Sequence, residues 1–280
     1  MSEEKNTQWH PAFTGAIHME FLENKADLDF QPEVILNTMP LRVDMILIKK
    51  KPDVVLKNEL GRIFRRYNLL EYKSPKDSLN YNTFLKGIAY AYLYKSYEDY
   101  VDEILLSEIT LTFIREYPPR KLLKKLEELH LVVEEVSKGI YYISGYNEIS
   151  IQIIATRELD KNQHIWINSL TSNISEQHIK KIISTTTNLT ELDDRNYASS
   201  VWEVVTVENR ELINQLRGND EMFGALAEIM KPEIDAAFDN GKLKQLFDLL
   251  KKGIITKEEA LAETDLSPEE FDTRYREYLA

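Results

Sequence analysis

The chain has 280 residues, no cysteine and a formal net charge of −12 at pH 7. The lack of cysteine excludes disulfides, thiolate zinc sites and cysteine nucleophiles. No apolar run approaches the roughly 20 residues that cross a bilayer, and the polar start of the chain does not resemble a secretory leader. We therefore expect a cytoplasmic protein that makes no contact with a membrane.

The distribution of charge matters more than its sum. A net negative charge opposes binding to nucleic acid, because phosphates repel an acidic surface. Residues 41–95 are an exception, with 12 basic side chains against 5 acidic ones. This pattern is expected if one surface faces phosphate, and a solvated lysine-rich loop would explain it equally well.

Helix and strand patterns alternate in the first part of the chain. Phe13, Ile17 and Glu20 recur at helical spacing and predict a first helix. Helices are also expected after the strand that ends at Lys73 and after the Pro118–Pro119 pair. Apolar and β-branched runs predict strands at residues 34–36, 41–48, 54–56, 67–73, 109–114, 131–136, 140–144 and 149–155.

Beyond residue 157 strand signals become rare and helix caps become frequent. We therefore predict two domains, residues 1–157 and residues 158–280, the second of them all-helical. Its last three expected helices, at about 241–252, 257–263 and 268–279, could be read as a helix-turn-helix. The final helix is too acidic to approach phosphates, so self-association or docking of a partner fits better. A homo-oligomer formed through these helices is the resulting expectation.

Three polar residues stand in otherwise apolar strands. Asp44 lies between Val43 and Met45, where a carboxylate is costly unless it is paired or bound to a cation. Glu71 and Lys73 are two residues apart on another strand and so point to one face. Carboxylates that hold a divalent cation, with a lysine beside them, are the groups that phosphodiester hydrolysis needs.

The pattern Asp44 … Glu71-x-Lys73 resembles the core of the PD-(D/E)XK nuclease superfamily. The stretches 9–13, 40–44 and 70–75 are similar to the bacterial group of Rpn recombination-promoting nucleases and PD-(D/E)XK-family putative transposases. The resemblance covers roughly residues 9–157. It implies an α/β fold, with a mixed, restriction-endonuclease-like sheet in the order α-β-β-β-α-β.

The activity that this resemblance implies is DNA endonuclease cleavage dependent on Mg²⁺ or Mn²⁺, with a link to recombination or mobile elements. By residue type and position, Asp44 and Glu71 would bind the metal and Lys73 would be the catalytic lysine. Glu20 stands where the superfamily often has a glutamate on its first helix. The backbone carbonyl of Tyr72 is a natural further ligand.

Nucleic-acid contacts are expected from three basic residues, Lys86 on the helix after the third core strand and the Arg65–Arg66 pair. The literal Pro-Asp pair, Pro52–Asp53, stands at an expected turn, so Asp44 is the better motif aspartate. The distance in sequence between Asp44 and Glu71 implies an extra hairpin or loop inside the core.

Each of these residues also has a purely structural explanation. Asp44 could be a buried acid that pairs with an arginine, and Lys73 could simply pair with Glu71 at a strand end. Glu20 could be a carboxylate on a helix surface, and Lys86 is more readily explained as a surface lysine. The whole chain could also be a catalytically silent nuclease fold that binds nucleic acid or protein.

Overall fold

A computed structural model of the chain describes residues 9–31, 34–35, 42–43, 45–96, 103–146, 148–216, 246–247, 250, 256–262, 264 and 267–279. The chain divides into two compact units, Met1–Ala225 and Leu226–Ala280. This division does not coincide with the boundary expected near residue 157, because helices beyond that residue pack against the first helix.

A seven-stranded mixed sheet forms the centre of the first unit, in the order β1-β4-β5-β6-β9-β8-β7. The pairs β1–β4 and β4–β5 are antiparallel, whereas β5–β6 and β6–β9 are parallel. A separate two-stranded sheet pairs β2 with β3. The strands are β1 Leu28–Gln31, β2 Val34–Ile35, β3 Arg42–Val43, β4 Met45–Lys50, β5 Tyr67–Lys73, β6 Ile109–Arg115, β7 Val132–Ser137, β8 Ile140–Ser144 and β9 Ser150–Ala155.

Helices cover both faces of this sheet, as expected for strands that are apolar on both sides. The expected α/β architecture with a mixed sheet is therefore confirmed. The helices of the first unit are α1 Trp9–Glu20, α2 Tyr81–Ser96, α3 Arg120–Glu128, α4 Glu176–Thr186, α5 Leu192–Glu208 and α6 Arg210–Leu216. None of the described helices is long and apolar enough to cross a membrane.

The strands differ from the expectation in three places. The run expected as one strand at residues 41–48 contributes to two strands, β3 and β4, which belong to different sheets. The strand expected at residues 54–56 is absent, because Val55 is 87% exposed and the Lys50 ammonium donates a hydrogen bond to the Val54 carbonyl. The β4 edge is occupied instead by β1, Leu28–Gln31, which the sequence analysis missed. Its alternation of apolar and polar residues was the signal for an edge strand.

One face of the sheet, called the α1 face, packs against α1. The Phe13 ring stacks on Tyr72 of β5 at a centroid distance of 4.7 Å. Helix α5 lies against α1 in turn, and a Cβ added to Gly15 would lie 2.5 Å from the Tyr197 carbonyl oxygen. The imidazole of His18 stacks between Phe30 and Tyr197, and burial lowers its pKa to about 4 against the opposing charge of Asp194.

The opposite face, called the α2 face, packs against α2 and α3. Phe84 and Ile88 of α2, and Leu122 and Leu126 of α3, join one buried core with the apolar strand residues. Phe113 of β6 lies at the centre of this core and is fully buried. The side chains of β5 alternate between the two faces, so consecutive residues meet different helices.

The second unit is described only in part. Phe247, Ala260 and Phe271 form its buried core. Its described helices are α7 Lys257–Ala262 and α8 Pro268–Leu279, which agree with two of the three helices expected there. Most of the remaining expected helix, at about 241–252, lies outside the described residues.

Candidate active site

The C-terminal end of β5 brings Glu71 and Lys73 together on the α2 face. The Lys73 Nζ lies 2.6 Å from Glu71 Oε1, and the Glu71 side chain is only 6% exposed. Residues two apart on a strand point the same way, which explains why spacing alone predicted this contact. The expected pairing of these two residues is therefore present in the structure.

The second carboxylate oxygen of Glu71 is unusual. Its Oε2 is buried and accepts no hydrogen bond from the residues that the structure describes. A Cβ added to Gly87 of α2 would lie 3.3 Å from this oxygen and 2.5 Å from the Phe113 ring, so the helix backbone closes over the carboxylate. Because buried polar atoms are almost always paired, an unpaired carboxylate oxygen marks Glu71 as a candidate ligand-binding group.

The sequence predicted two further metal ligands, Asp44 and the backbone carbonyl of Tyr72. Asp44 lies outside the described residues, and the described pairing of β4 with β5 ends at Met45 and Glu71. Tyr72 points to the α1 face, where burial raises the pKa of its hydroxyl above the ordinary value, with a smaller contribution from nearby carboxylates such as Glu116. The side chain of Tyr72 therefore lies away from Glu71, and the ligand role expected from the sequence concerns its backbone carbonyl alone.

Glu20 is not part of this arrangement. It lies at the end of α1, on the other side of the sheet from Glu71, and its side chain is 1% exposed. Its Oε1 accepts the backbone N–H of Ile167 at 3.0 Å, and its Oε2 accepts Asn58 Nδ2 at 3.0 Å. The His164 Nδ1 is 3.1 Å from the same Oε2.

His164 links Glu20 to a second carboxylate. Its Nε2 lies 3.1 Å from Glu59 Oε1, so both ring nitrogens face carboxylate oxygens and both must carry a proton to donate. Burial lowers the pKa of His164, but the hydrogen bonds and charges of Glu20 and Glu59 outweigh burial and raise it above the ordinary value. The Arg62 guanidinium is 3.9 Å from the other Glu59 oxygen.

The cluster of Glu20, His164 and Glu59 lines an open cavity of about 530 Å³. The cluster could not be predicted from the sequence, because its members come from positions 20, 59 and 164. No local spacing brings such distant residues together.

The expected nucleic-acid contacts are dispersed. Arg65 and Arg66 are exposed before the start of β5, at the opposite end of the strand from Lys73, about 20 Å along it. The Arg66 guanidinium lies over the Tyr67 ring and 3.6 Å from Glu108. Lys86 is exposed on α2 beside Gly87, with its ammonium 5.3 Å from the centre of the Tyr90 ring.

A further cation stands beside Lys73. Arg115 ends β6 and is paired in register with Lys73, so the two side chains share the α2 face. Its Nε is buried and has no hydrogen-bond partner among the described residues. Burial lowers the pKa of this guanidinium, and the carboxylate of Glu116 opposes that effect. A basic residue directly after an apolar strand, repeated in β5 and β6, was the sequence signal for this position.

Among the described residues, which exclude Asp44, no group of three or more histidine, aspartate or glutamate side chains is placed to hold a metal ion. Comparisons with models of protein families, with curated protein sequences and with solved structures give no match.

Proposed function

We propose that the protein is a metal-dependent phosphodiester hydrolase of the PD-(D/E)XK type that acts on DNA. The observation that carries the proposal is the buried Glu71, ion-paired to Lys73 through one oxygen and unpartnered at the other. The chain order is α1-β1-β2-β3-β4-β5-α2-β6, and β2 and β3 form a separate sheet. When only the strands of the seven-stranded sheet are counted, the order becomes α-β-β-β-α-β, as the resemblance implies, and this supports the proposal.

The donors suit a hard divalent cation. Mg²⁺ and Mn²⁺ prefer carboxylate and carbonyl oxygens, and a buried carboxylate oxygen without a partner is such a donor. Glu71 would hold the cation with Asp44 and the Tyr72 carbonyl. A bound cation would neutralise charge on the phosphate and lower the pKa of the attacking water.

The chain itself positions the reactants. Lys73, held by Glu71, would donate a hydrogen bond to the attacking water or to a non-bridging phosphate oxygen and stabilise the charge that develops there. Helix α2 closes over Glu71 at Gly87 and keeps water away from that side of the carboxylate. A low-dielectric wall strengthens both interactions.

The test is nicking of supercoiled DNA with Mg²⁺ or Mn²⁺, with the Lys73→Ala variant and with Lys76→Ala as the matched control. Lys76 is exposed three residues further along the chain. We expect Lys73→Ala to lose about 10²- to 10⁴-fold in rate, the range for a group that assists proton transfer. Equal rates for Lys73→Ala and the wild-type protein, or no cleavage of DNA or RNA with either metal, would contradict the proposal.

The second candidate is a silent nuclease fold that binds nucleic acid or protein. The net charge of −12 favours it, as does the Glu71–Lys73 pair, which satisfies one carboxylate oxygen without a ligand. Calorimetric titration of Mg²⁺ or Mn²⁺ separates the two candidates. The silent fold predicts no binding difference between the wild-type protein and Glu71→Gln.

A further inference from the structure

A basic surface lies at the start of α3. Arg120, Lys121 and Lys124 are exposed, and in the part of the chain that the structure describes they form no ion pair. Lys125 differs, because its ammonium lies 3.6 Å from Glu128. We call Arg115, Arg120, Lys121 and Lys124 the basic strip.

The topology brings this strip to the candidate active site. Strand β9 is parallel to β6, and β8 and β7 reverse direction in turn, so β7 also runs parallel to β6. Helix α3 connects β6 to β7 and must run back across the sheet, so it begins at the C-terminal edge of the parallel strands. Glu71 and Lys73 lie at that same edge, and α3 packs on their face.

The order of charged residues along α3 is the reverse of the order that stabilises a helix. The positive end of a helix dipole is the N-terminus, so acidic residues stabilise the first turn and basic residues the last. In α3 the cations Arg120, Lys121, Lys124 and Lys125 precede Glu127 and Glu128, which is the reverse order, and no side chain caps the N-terminus. The helix dipole and the side chains therefore add to a positive potential at one end.

Arg115 continues this potential into the candidate active site. Its Cα lies one strand spacing, about 4.8 Å, from that of Lys73, and its buried Nε has no partner. The adjacent acid, Glu116, accepts the Thr171 hydroxyl at 2.6 Å and lies 3.8 Å from Arg157, so it has partners of its own. Arg115 thus brings a positive charge, with an unpaired donor, to the strand beside Lys73.

We propose that the basic strip binds the phosphate backbone of duplex DNA and guides a strand to Glu71 and Lys73. The choice of a nucleic acid rests on the proposed function, and the strip replaces Arg65 and Arg66 as the expected contact surface. The successive phosphates of one DNA strand match a row of cations better than the isolated carboxylates of another ligand would. Contacts of this kind carry affinity without sequence preference.

The test is duplex DNA binding in EDTA, at several salt concentrations, by Lys121→Glu/Lys124→Glu. The matched charge reversal is Arg65→Glu/Arg66→Glu at the opposite edge of the sheet. We expect the α3 variant to bind at least about tenfold more weakly, with a slope of log Kd against log salt that is smaller by about 2. The Arg65/Arg66 variant should shift Kd less than threefold by the same principle.

Thermal unfolding provides the second readout. Glutamate suits both the helix and its N-terminal dipole, so the α3 variant should unfold at a temperature equal to or above that of the wild-type protein. Weaker binding with unchanged or greater stability excludes loss of fold as the cause. A variant that binds as the wild-type protein does, or a larger loss in the Arg65/Arg66 variant, overturns the proposal.

Two further measurements test separately which polymer the basic strip binds and whether the candidate active site hydrolyses a phosphodiester. Preference for duplex RNA, or displacement of DNA by polyglutamate at equal charge, would overturn the assignment to DNA. Hydrolysis of a small diester, bis(p-nitrophenyl) phosphate, reports on the wild-type site alone. Absence of that hydrolysis, with binding still dependent on α3, would contradict the proposed function and leave the basic strip in place.

Discussion

Two buried glutamates, Glu20 and Glu71, lie on opposite sides of the same sheet and differ in how their oxygens are satisfied. The oxygens of Glu20 accept a backbone N–H, an amide and an imidazole. Those of Glu71 have one ion pair, to Lys73, and one position without a partner.

This difference separates a structural carboxylate from a candidate ligand. A buried charge whose hydrogen bonds are all made holds the surrounding segments together, and losing its partners costs several kcal/mol. A buried oxygen without a partner weakens the fold unless something binds there. Burial of a carboxylate alone therefore does not identify a ligand-binding site. A buried carboxylate oxygen without a hydrogen-bond partner is the more informative observation.

The largest effect is expected at Glu71. Glu71→Gln should lower metal-dependent hydrolysis about 100-fold or more, because a neutral amide is a poorer ligand for a divalent cation and holds Lys73 only by a hydrogen bond to a neutral acceptor. The free energy of unfolding should change by less than about 1 kcal/mol, since the variant removes a buried charge with an unpaired oxygen. Hydrolysis and urea unfolding are measured on the same preparation.

Asp77→Asn is the matched control for this variant. Asp77 is an exposed neighbouring acid that accepts the Ser74 hydroxyl at 2.7 Å. It should keep its hydrolysis rate within about twofold, as expected for a surface substitution. Loss of several kcal/mol of stability in Glu71→Gln would show that Glu71 is a structural carboxylate like Glu20.

The next largest effect is on stability, at Glu20. Glu20→Ala should lower the free energy of unfolding by about 3–5 kcal/mol, because His164 and the Ile167 N–H lose their partner in a buried site. Urea unfolding measures the change. The control Glu23→Ala removes an exposed carboxylate that pairs with Lys57, and it should cost at most about 1 kcal/mol.

Hydrolysis per folded molecule decides the role of Glu20 in chemistry. If Glu20 acts only on stability, its variant should lose less activity than Glu71→Gln does. An equal loss at unchanged stability would return Glu20 to the catalytic set that the sequence predicted.

The smallest effect is a dependence of stability on pH. The folded pKa of His164 is raised, so its contribution is complete below its unfolded pKa of about 6.5 and is lost as pH rises through the folded value. The slope in that window reaches at most about 1.4 kcal/mol per pH unit. His164→Gln should remove this slope, as measured by urea unfolding at a series of pH values.

His18 provides a contrast of opposite sign. Its folded pKa is lowered to about 4, so the unfolded chain binds the extra proton between that value and about 6.5. The contribution of His18 to stability is therefore lost as pH falls through this window. His18→Gln should reduce the pH dependence of the free energy of unfolding in this window only. A variant of either histidine that changes the other window would contradict the assignment of the two groups.

Local patterns predicted much of the sheet. The runs of β5, β6, β8 and β9 are short and rich in apolar and β-branched residues, which indicates strands, and their expected ranges agree with the structure to within one residue. The strand expected at residues 54–56 was wrong because its apolar residues had no neighbouring strand to pair with. Pairing is a property of two segments, so a single segment cannot reveal it.

The candidate active site shows the same limit of prediction from local sequence patterns. Glu71 and Lys73 contact each other because a strand repeats every two residues, which holds wherever the strand lies. Placing Glu20 in the same site assumed that α1 lies on the face of Glu71, and the side on which a helix packs is set by the whole core. Arg65 and Arg66 are near Glu71 in sequence but a strand length away in space.

The sequence by itself determined the α/β character of the chain and the pairing of Glu71 with Lys73, because both depend on short-range periodicity. Only the tertiary structure decided which buried acid keeps an unpaired oxygen and which cations share its edge. Hydrogen bonds such as that between Glu20 and His164 join positions 144 residues apart. Their formation depends on how the sheet and its helices pack, and this leaves Glu71 with the one unsatisfied carboxylate oxygen of the pair.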